Sequence, residues 1–221
     1  MRKASWFLIP ALALGCASFA WAQAALDVNV GFGTAHDTAS GSGIDGPASL
    51  NAFGPCTPGL SDGFCQATPG LDGFFLGLGA DIMLFKRFGV GAQANFQPEQ
   101  RNYGPLQFRQ SFVDFDGIFA PISNKRVELR LLGGVGFART SFSISQSGCI
   151  GTAVCSTSTE PIGAANHADL NVGAGVQIYL TNHIFIRPQF DFHYVPNLSQ
   201  QFGHDYVPEG TIWLGYNFGE R

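Results

Sequence analysis

The sequence predicts an all-β fold, an eight-stranded antiparallel up-and-down transmembrane β-barrel, from three observations. Eight segments alternate strictly between apolar residues and small or polar ones, which is the two-residue period of a β-strand. The connections between them alternate long and short, as expected when one end of a barrel bears loops and the other bears tight turns. After the first 22 residues, no apolar run reaches the ~18 residues that a membrane-spanning helix needs.

The chain begins with a predicted secretory signal peptide at residues 1–22. Arg2 and Lys3 form its basic start, a short apolar stretch follows, and Ala20-Trp21-Ala22 has the small-x-small form of a cleavage site. The sequence therefore predicts export, with residues 23–221 forming one barrel domain.

The alternation is clearest in the segment Leu71–Phe96. On its first arm Phe74 and Leu78 share one face, and Gly77 lies on the other. A second alternating arm follows the charged pair Lys86-Arg87, so the segment predicts an antiparallel hairpin. Each arm has about the 9–11 residues with which a tilted strand crosses a bilayer.

The same pattern assigns the rest of the chain. Phe112 and Ile118 break the alternation of one strand, and an apolar shift to Phe142 predicts a bulge near the end of the next. Pro188 cannot donate to a ladder, but the alternation around it is unbroken. In order, the predicted elements are a strand at 26–33, a loop at 35–69, strands at 74–84 and 88–97, a loop at 97–105, a strand at 106–119, a turn at 123–125, a strand at 127–137, a loop at 147–165, a strand at 169–180, a turn at 181–182, a strand at 184–194, a loop through 203–205 and a strand at 211–218.

The net charge bears on the partners. The full chain has 12 Lys and Arg against 16 Asp and Glu, and removal of Arg2 and Lys3 with the signal peptide makes the balance more acidic still. An acidic mature chain is unsuited to the phosphate backbone, so nucleic acid is not an expected partner.

The cysteines predict two disulfides. Cys56 and Cys65 lie in one Gly- and Pro-rich loop, and Cys149 and Cys155 lie in another. Two loop-local bridges are the economical interpretation in an oxidising compartment. Metal binding is the alternative, but neither pair has C-x-x-C spacing and no histidine is near the first pair.

The signal peptide, the alternating segments, the loop asymmetry and the C-terminal strand TIWLGYNF together resemble a known family. It is the small outer-membrane β-barrel family of OmpA/OmpX-like, eight-stranded, porin-type barrels, and the resemblance covers residues 23–221. It implies a location in the bacterial outer membrane and contact with outer-membrane lipid. The family usually ends on the aromatic residue, whereas Gly219-Glu220-Arg221 follow Phe218 here.

A soluble, lipocalin-like barrel with its apolar face turned inward is the main structural alternative. Its solvent-exposed face would then be rich in glycine, which is a poor strand former on a free surface. Glycine fits better where eight strands crowd side chains into a narrow lumen, so the apolar face is predicted to meet lipid. The glycines concerned are Gly31, Gly77, Gly79, Gly89, Gly91, Gly134, Gly136, Gly173 and Gly175.

The opposite face would give the barrel a charged lumen. Such a lumen could be a narrow cation path or a plug of ion pairs and hydrogen bonds, and a barrel of eight strands is just wide enough for its own side chains, which favours the plug. Carboxylates in excess must find Arg, an amide, water or a proton. The predicted lumen charges are Asp27, Asp81, Asp114, Asp116, Glu128, Arg130, Arg187 and Asp191.

An enzymatic alternative comes from the resemblance, because some small barrels of this kind are lipid A deacylases. Those carry a His followed two residues later by a nucleophilic Ser. Here Val195 stands two residues after His193, and Glu209 cannot supply the missing hydroxyl. We therefore expect no catalytic residue, and also no cofactor and no metal site.

The sequence thus favours a monomeric barrel with a structural or surface-interaction role. Its loops, pinned by disulfides, would meet an extracellular ligand. A narrow small-solute or ion channel is the second interpretation, and the deacylase is the third.

Overall fold

The computed structural model describes residues 25–35, 71–103, 106–150, 154–198, 202 and 204–218. Its β-strands are β1 (Ala25–Ala35), β2 (Gly73–Met83), β3 (Phe88–Phe96), β4 (Arg101–Tyr103), β5 (Leu106–Ser123), β6 (Val127–Ile150), β7 (Val154–Tyr179), β8 (Ile184–Tyr194) and β9 (Tyr206–Asn217). The predicted signal peptide and the Cys56–Cys65 loop lie outside the described residues. No helix in the described part of the chain is long and apolar enough to span a membrane.

All strand pairs are antiparallel, and they close into a ring. Apart from β3 and β4, neighbours in sequence pair with one another. The ring is closed by β1 with β9 and by β3 with β5, which pair from Phe88↔Phe119 to Phe96↔Ser111. The short β4 pairs only with the start of β5 and stands outside the ring. The predicted eight-stranded up-and-down barrel is confirmed.

The two ends of the barrel differ, as the connection lengths predicted. Tight turns join β2 to β3, β5 to β6 and β7 to β8, and the first strand begins at this same turn end, where Ala25 pairs with Met83. The long connections lie at the other end, called the loop end below.

Apolar side chains point outward from the barrel. Val172 is 60% exposed and Leu78 is 57% exposed, although both lie in the middle of strands. Aromatic residues cluster near both rims: the rings of Phe88 and Phe119 stack with centroids 5.0 Å apart, and those of Tyr194 and Tyr206 lie 5.2 Å apart. An apolar band between aromatic girdles is the surface that a membrane barrel presents to lipid.

The lumen depends on glycine at its crowded positions. Trp213 is fully buried inside the barrel, and its ring lies over the backbone of β1 and β2. A Cβ atom at Gly31 would lie 2.6 Å from Cε3 of Trp213, and one at Gly77 would lie 2.6 Å from its Cη2. Only glycine at both positions leaves room for the indole.

The largest correction concerns the predicted loop at 147–165. There β6 and β7 continue as one long hairpin that pairs as far as Ile150↔Val154. Ladder hydrogen bonds form between backbones, so a hairpin outside the membrane needs no apolar alternation, and the sequence pattern did not reveal it.

The structure also shows how three smaller irregularities of the sequence pattern are accommodated. Phe112 and Ile118 point inward with Asp114, so the alternation of β5 is unbroken and its apolar members pack at the two ends of the lumen. The bulge predicted in β6 past Phe137 is wrong, because Ala138, Thr140 and Phe142 continue the inward alternation of that strand. The register shift nearby, between Phe142↔Gly163 and Ser143↔Pro161, places the extra residue in β7. Pro188 faces outward at a gap in the β7–β8 pairing, between Gly175↔Gln189 and Ile178↔Ile186.

Candidate functional site in the barrel interior

Apolar clusters close both ends of the polar interior. The loop end is filled by an apolar cap of buried side chains that includes Phe75, Phe108, Phe112 and Phe202. A smaller cluster, Met83, Ile118, Ala120 and Leu132, lies toward the turn end. Between them the inward residues are charged or amide-bearing, and they form three contiguous clusters.

The arginine cluster is centred on Arg130, which has no exposed surface. Its Nε donates to Glu128 at 2.7 Å, and its two terminal nitrogens donate to Asp81 and Asp27 at 2.5 Å each. Arg187 donates to the second oxygen of Asp81 at 2.9 Å. Charge-assisted bonds of this kind compensate the carboxylates for their lost hydration.

Neutral donors complete the arginine cluster. Gln177 donates to Asp27 at 3.0 Å, Asn217 also donates to Asp27, and Ser123 donates to Glu128 at 2.9 Å. These donors come from β5, β7 and β9, so the cluster ties together strands far apart in the sequence.

The amide cluster holds two further carboxylates without a cation. Asp116 accepts from Gln93 at 3.0 Å and from Asn171 at 2.7 Å. Asp191 accepts from Gln189 at 2.8 and 3.0 Å, and Gln189 also donates to Gln93 at 3.1 Å.

The histidine cluster lies directly beneath the apolar cap. Nδ1 of His193 is 2.7 Å from Oδ2 of Asp169, and its Nε2 is 3.5 Å from Oε2 of Glu209. The ring of Phe112 stacks on the imidazole with centroids 4.6 Å apart. Asp114 completes the group, because its carboxylate, that of Asp169 and the imidazole offer ligand atoms within 4.8 Å of one another.

The eight charges singled out from the sequence all lie in the interior, but they do not form one network. Asp27, Asp81, Glu128, Arg130 and Arg187 meet in the arginine cluster, Asp116 and Asp191 lie in the amide cluster, and Asp114 lies in the histidine cluster.

Sequence reasoning missed the partners of Asp114. Asp169 and His193 follow the same alternation as the selected residues and could have been chosen with them. The sequence pattern did not identify Glu209, because the strand was predicted to begin at residue 211. In the structure β9 begins at Tyr206 and therefore includes Glu209. The register Asp191↔Glu209 then points Glu209 inward.

The environment of His193 differs from that of a nucleophile–base pair. Its two ring nitrogens face the carboxylates of Asp169 and Glu209, and Val195 is buried in the apolar cap. The hydroxyl of Thr211 donates to Glu209 at 3.1 Å instead of contacting the imidazole.

In the described part of the chain, β6 and β7 continue past the loop end of the barrel wall as the β6–β7 hairpin. Beyond Ser143 the strand β6 has lost β5 as a partner, and before Leu170 the strand β7 has not yet met β8. Among the residues that the structure describes, the two outer backbone edges of the paired segments 144–150 and 154–160 therefore have no partner strand. Seven residues of extended chain carry the hairpin about 20 Å beyond the barrel wall.

Comparison with solved structures places this architecture among outer-membrane barrels. Ail of Yersinia pestis, solved with the heparin analogue sucrose octasulfate, superposes with a TM-score of 0.52 at 13% identity, covering 89% of this chain and 99% of that one. A major outer membrane protein from Thermus thermophilus gives 0.52 at 12% identity, covering 88% and 99%. OprG from Pseudomonas aeruginosa gives 0.50 at 16% identity, covering 89% and 96%.

No family model matches the sequence, and no curated protein matches it. The likeness to the solved structures, at these identities, is a likeness of fold.

Proposed function

We propose that this chain, which has the fold of the small outer-membrane β-barrels, is a monomeric bacterial outer-membrane protein with a surface-interaction role. In this proposal the barrel anchors the protein in the membrane, and the loop end is the surface that binds a partner. Export would follow cleavage before Gln23, which N-terminal sequencing of the mature protein tests.

The observation that carries the proposal is the β6–β7 hairpin. A pair of strands with both backbone edges unpaired is a template for a partner strand, and proteins normally blunt such edges. Here the hairpin contains many Ser and Thr residues and one charged residue, Glu160, between positions 144 and 160. Addition of a partner strand is one recognised mode of binding that uses such an edge.

Replacement of residues 144–160 by a two-residue Asn-Gly turn tests this role. Ser143 and Pro161 are paired in the register, so the turn can close the ladder where the free hairpin begins. We expect the shortened barrel to refold with slightly lower thermal stability, because it loses the contact of Ile144 with the apolar cap. Bacteria displaying it should lose adherence to immobilised extracellular-matrix proteins and glycans. Equal adherence with and without the hairpin would contradict the proposal.

The filled interior argues against the channel alternative. Buried ion pairs, the amide cluster and the apolar cap occupy the space that a solute would need, in line with the narrow interior of an eight-stranded barrel. In planar bilayers we expect the refolded protein to show no discrete conductance steps. A reproducible single-channel conductance would favour the porin-like function instead.

The enzymatic alternative lacks a nucleophile next to His193, so we propose a non-enzymatic protein. Incubation of the refolded barrel with lipid A should release no fatty acid, and acyl release that disappears in His193→Gln would contradict this.

We also propose disulfides Cys56–Cys65 and Cys149–Cys155. For the second pair, the support is the register of β6 and β7, in which Cys149 lies opposite Cys155. Non-reducing peptide mapping should find both bridges, and a Cys56–Cys149 linkage or four free thiols would refute them.

The ligand is unlike a heparin-type polyanion. Ail was solved with a heparin analogue, but the loop-end segments 36–72, 97–105, 144–168 and 195–205 of this chain carry seven Asp and Glu and one Arg. Repulsion between like charges disfavours a sulfated chain there. We expect no retention on a heparin column at physiological ionic strength.

A further inference from the structure

The histidine cluster contains more buried negative charge than its protein partners compensate. Asp114, Asp169 and Glu209 have at most 1% of their surface exposed. Both arginines of the interior bind the carboxylates of the arginine cluster instead. His193 is the basic side chain that forms ion pairs with two of these carboxylates, those of Asp169 and Glu209.

Asp114 is the decisive residue. Neither of its carboxylate oxygens has a hydrogen-bond partner in the described part of the chain, although the side chain has no exposed surface. Oδ1 of Asp169 and Oε2 of Glu209 are also without a hydrogen bond there. A buried carboxylate with no compensating donor is costly, so this arrangement calls for a cation or a proton.

The fold creates the space between the two aspartates. Asp114 on β5 and Asp169 on β7 are both paired with Gly136, which lies on the strand between them. A Cβ atom at position 136 would lie 2.4 Å from Oδ1 of Asp114, so only glycine there lets the two carboxylates approach across β6.

We propose that Asp114, Asp169 and His193 form a binding site for one divalent transition-metal ion, with Zn²⁺ as the probe. A mixed set of imidazole nitrogen and carboxylate oxygen suits Zn²⁺ and its first-row neighbours, whereas Mg²⁺ and Ca²⁺ prefer oxygen alone. The dication would balance the excess negative charge of the cluster.

The surroundings of His193 resemble the support that metal-bound histidines usually have. When one ring nitrogen binds a metal, the other commonly donates to a carboxylate, which fixes the ring. With the metal on the side of Asp169, Nε2 of His193 faces Glu209, and Glu209 is itself held by the hydroxyl of Thr211. The stacked ring of Phe112 covers one face of the imidazole.

The apolar cap sets how the ion enters. Phe108, Phe112 and Phe202 belong to the cap that lies above the cluster at the loop end. An ion reaching His193 from that side has to pass these rings, so we expect loading during refolding and slow exchange afterwards.

Metal content measured on the full mature barrel tests the site. The barrel is refolded with Zn²⁺ under oxidising conditions, dialysed against a chelator and analysed by mass spectrometry for metal per chain. We expect about one Zn²⁺ per chain, and Co²⁺ in its place should give visible ligand-field absorption. Mg²⁺ at the same concentration should not compete.

Matched variants assign the ion to this cluster. Asp114→Asn and His193→Gln should lose the retained Zn²⁺, and Thr211→Val should weaken binding roughly 10- to 100-fold through Glu209. Asp191→Asn removes a buried carboxylate that Gln189 already satisfies, and His183→Gln removes an imidazole at the turn end, so both should keep the ion.

Wild-type protein decides the question even where a variant does not refold. A folded wild-type barrel that retains no stoichiometric Zn²⁺, Co²⁺ or Mn²⁺ after refolding with each ion overturns the proposal. Retention that survives both Asp114→Asn and His193→Gln also overturns it, because the ion would then lie elsewhere. If the folded wild-type barrel retains no metal ion, the result would support a proton shared between Asp114 and Asp169 instead.

Discussion

At the residue scale, stability of the interior depends on single side chains that several strands share. Arg130 compensates Asp27, Asp81 and Glu128 at once, and these come from β1, β2 and β6. Trp213 fills space that Gly31 and Gly77 leave open. In both cases one residue determines whether its neighbours can occupy the lumen.

Arg130→Met should destabilise the barrel strongly. The substitution keeps much of the side-chain volume but leaves buried carboxylates without their cation, which typically costs about 3–5 kcal/mol. Urea unfolding in lipid vesicles, followed by far-UV circular dichroism, measures the change. Arg139→Met removes an exposed arginine from the same strand and should shift the free energy of unfolding by less than about 0.5 kcal/mol. Equal effects of the two substitutions would refute this role of Arg130.

Gly77→Ala should cost about 1–3 kcal/mol, because its Cβ atom overpacks the lumen against Asn95 and Trp213. Gly133→Ala is the control, since nothing lies within 4 Å of a Cβ atom there, and it should be close to neutral. The same unfolding experiment compares the two. Trp213→Phe in the Gly77→Ala background should recover part of the loss, and a purely additive double variant would show that the two sites do not interact.

At the element scale, each barrel strand separates an apolar outer face from a polar inner one. In β7, Val172 is 60% exposed, whereas Gln177 has no exposed surface. A soluble barrel with an apolar core would reverse these values. The glycines that line the lumen belong to the inner face of the same strands.

Val172→Arg should destabilise the inserted barrel by about 2–4 kcal/mol, the cost of a charge near the bilayer midplane. Ala92→Arg on β3 should behave alike, because Ala92 is also exposed on the outer face.

Labelling identifies the cause: in a Cys-free background, Val172→Cys and Ala92→Cys should be quenched by lipid-borne probes and shielded from aqueous maleimide. Gln177→Cys, inside the lumen, should escape the lipid quencher. Cysteines at 92 and 172 shielded from both reagents would contradict the outward orientation.

At the scale of the whole molecule, charge is distributed unequally between the two ends. The segments at the loop end are acidic, whereas two neighbouring turns at the other end carry Lys86, Arg87, Lys125 and Arg126. These turns are adjacent because β3 pairs with β5, and the backbone N–H of Ala120 donates to Arg87 at 2.8 Å. We propose from this asymmetry that the loop end is the outer surface and the turn end the periplasmic one.

Whole-cell labelling tests this orientation. Thr159→Cys in the hairpin and Asn182→Cys in the β7–β8 turn are both exposed positions, studied with the native cysteines replaced. In intact cells an impermeant maleimide should label only position 159, and position 182 should become reactive after the outer membrane is permeabilised. The reverse pattern would mean that the barrel is inserted upside down.

The sequence by itself determined the strands, their faces and the closure of the barrel. These follow from local periodicity and connection length. Apolar residues such as Phe74 and Val172 alternate with small or polar ones such as Gly77, and this alternation predicts which side chains face outward. The predicted bulge in β6 was wrong, because Phe142 changes the apolar phase by pointing inward into the apolar cap and not through an extra residue in that strand.

Only the tertiary structure decided which inward residues meet. Asp114, Asp169 and His193 lie far apart in the chain and come together because β5, β6, β7 and β8 are successive neighbours in the barrel, with a glycine between the two aspartates. The division of the lumen into clusters depends on barrel tilt and register, which no single strand encodes. The long β6–β7 hairpin was likewise hidden, since its hydrogen bonds join backbones and leave no requirement on the side chains.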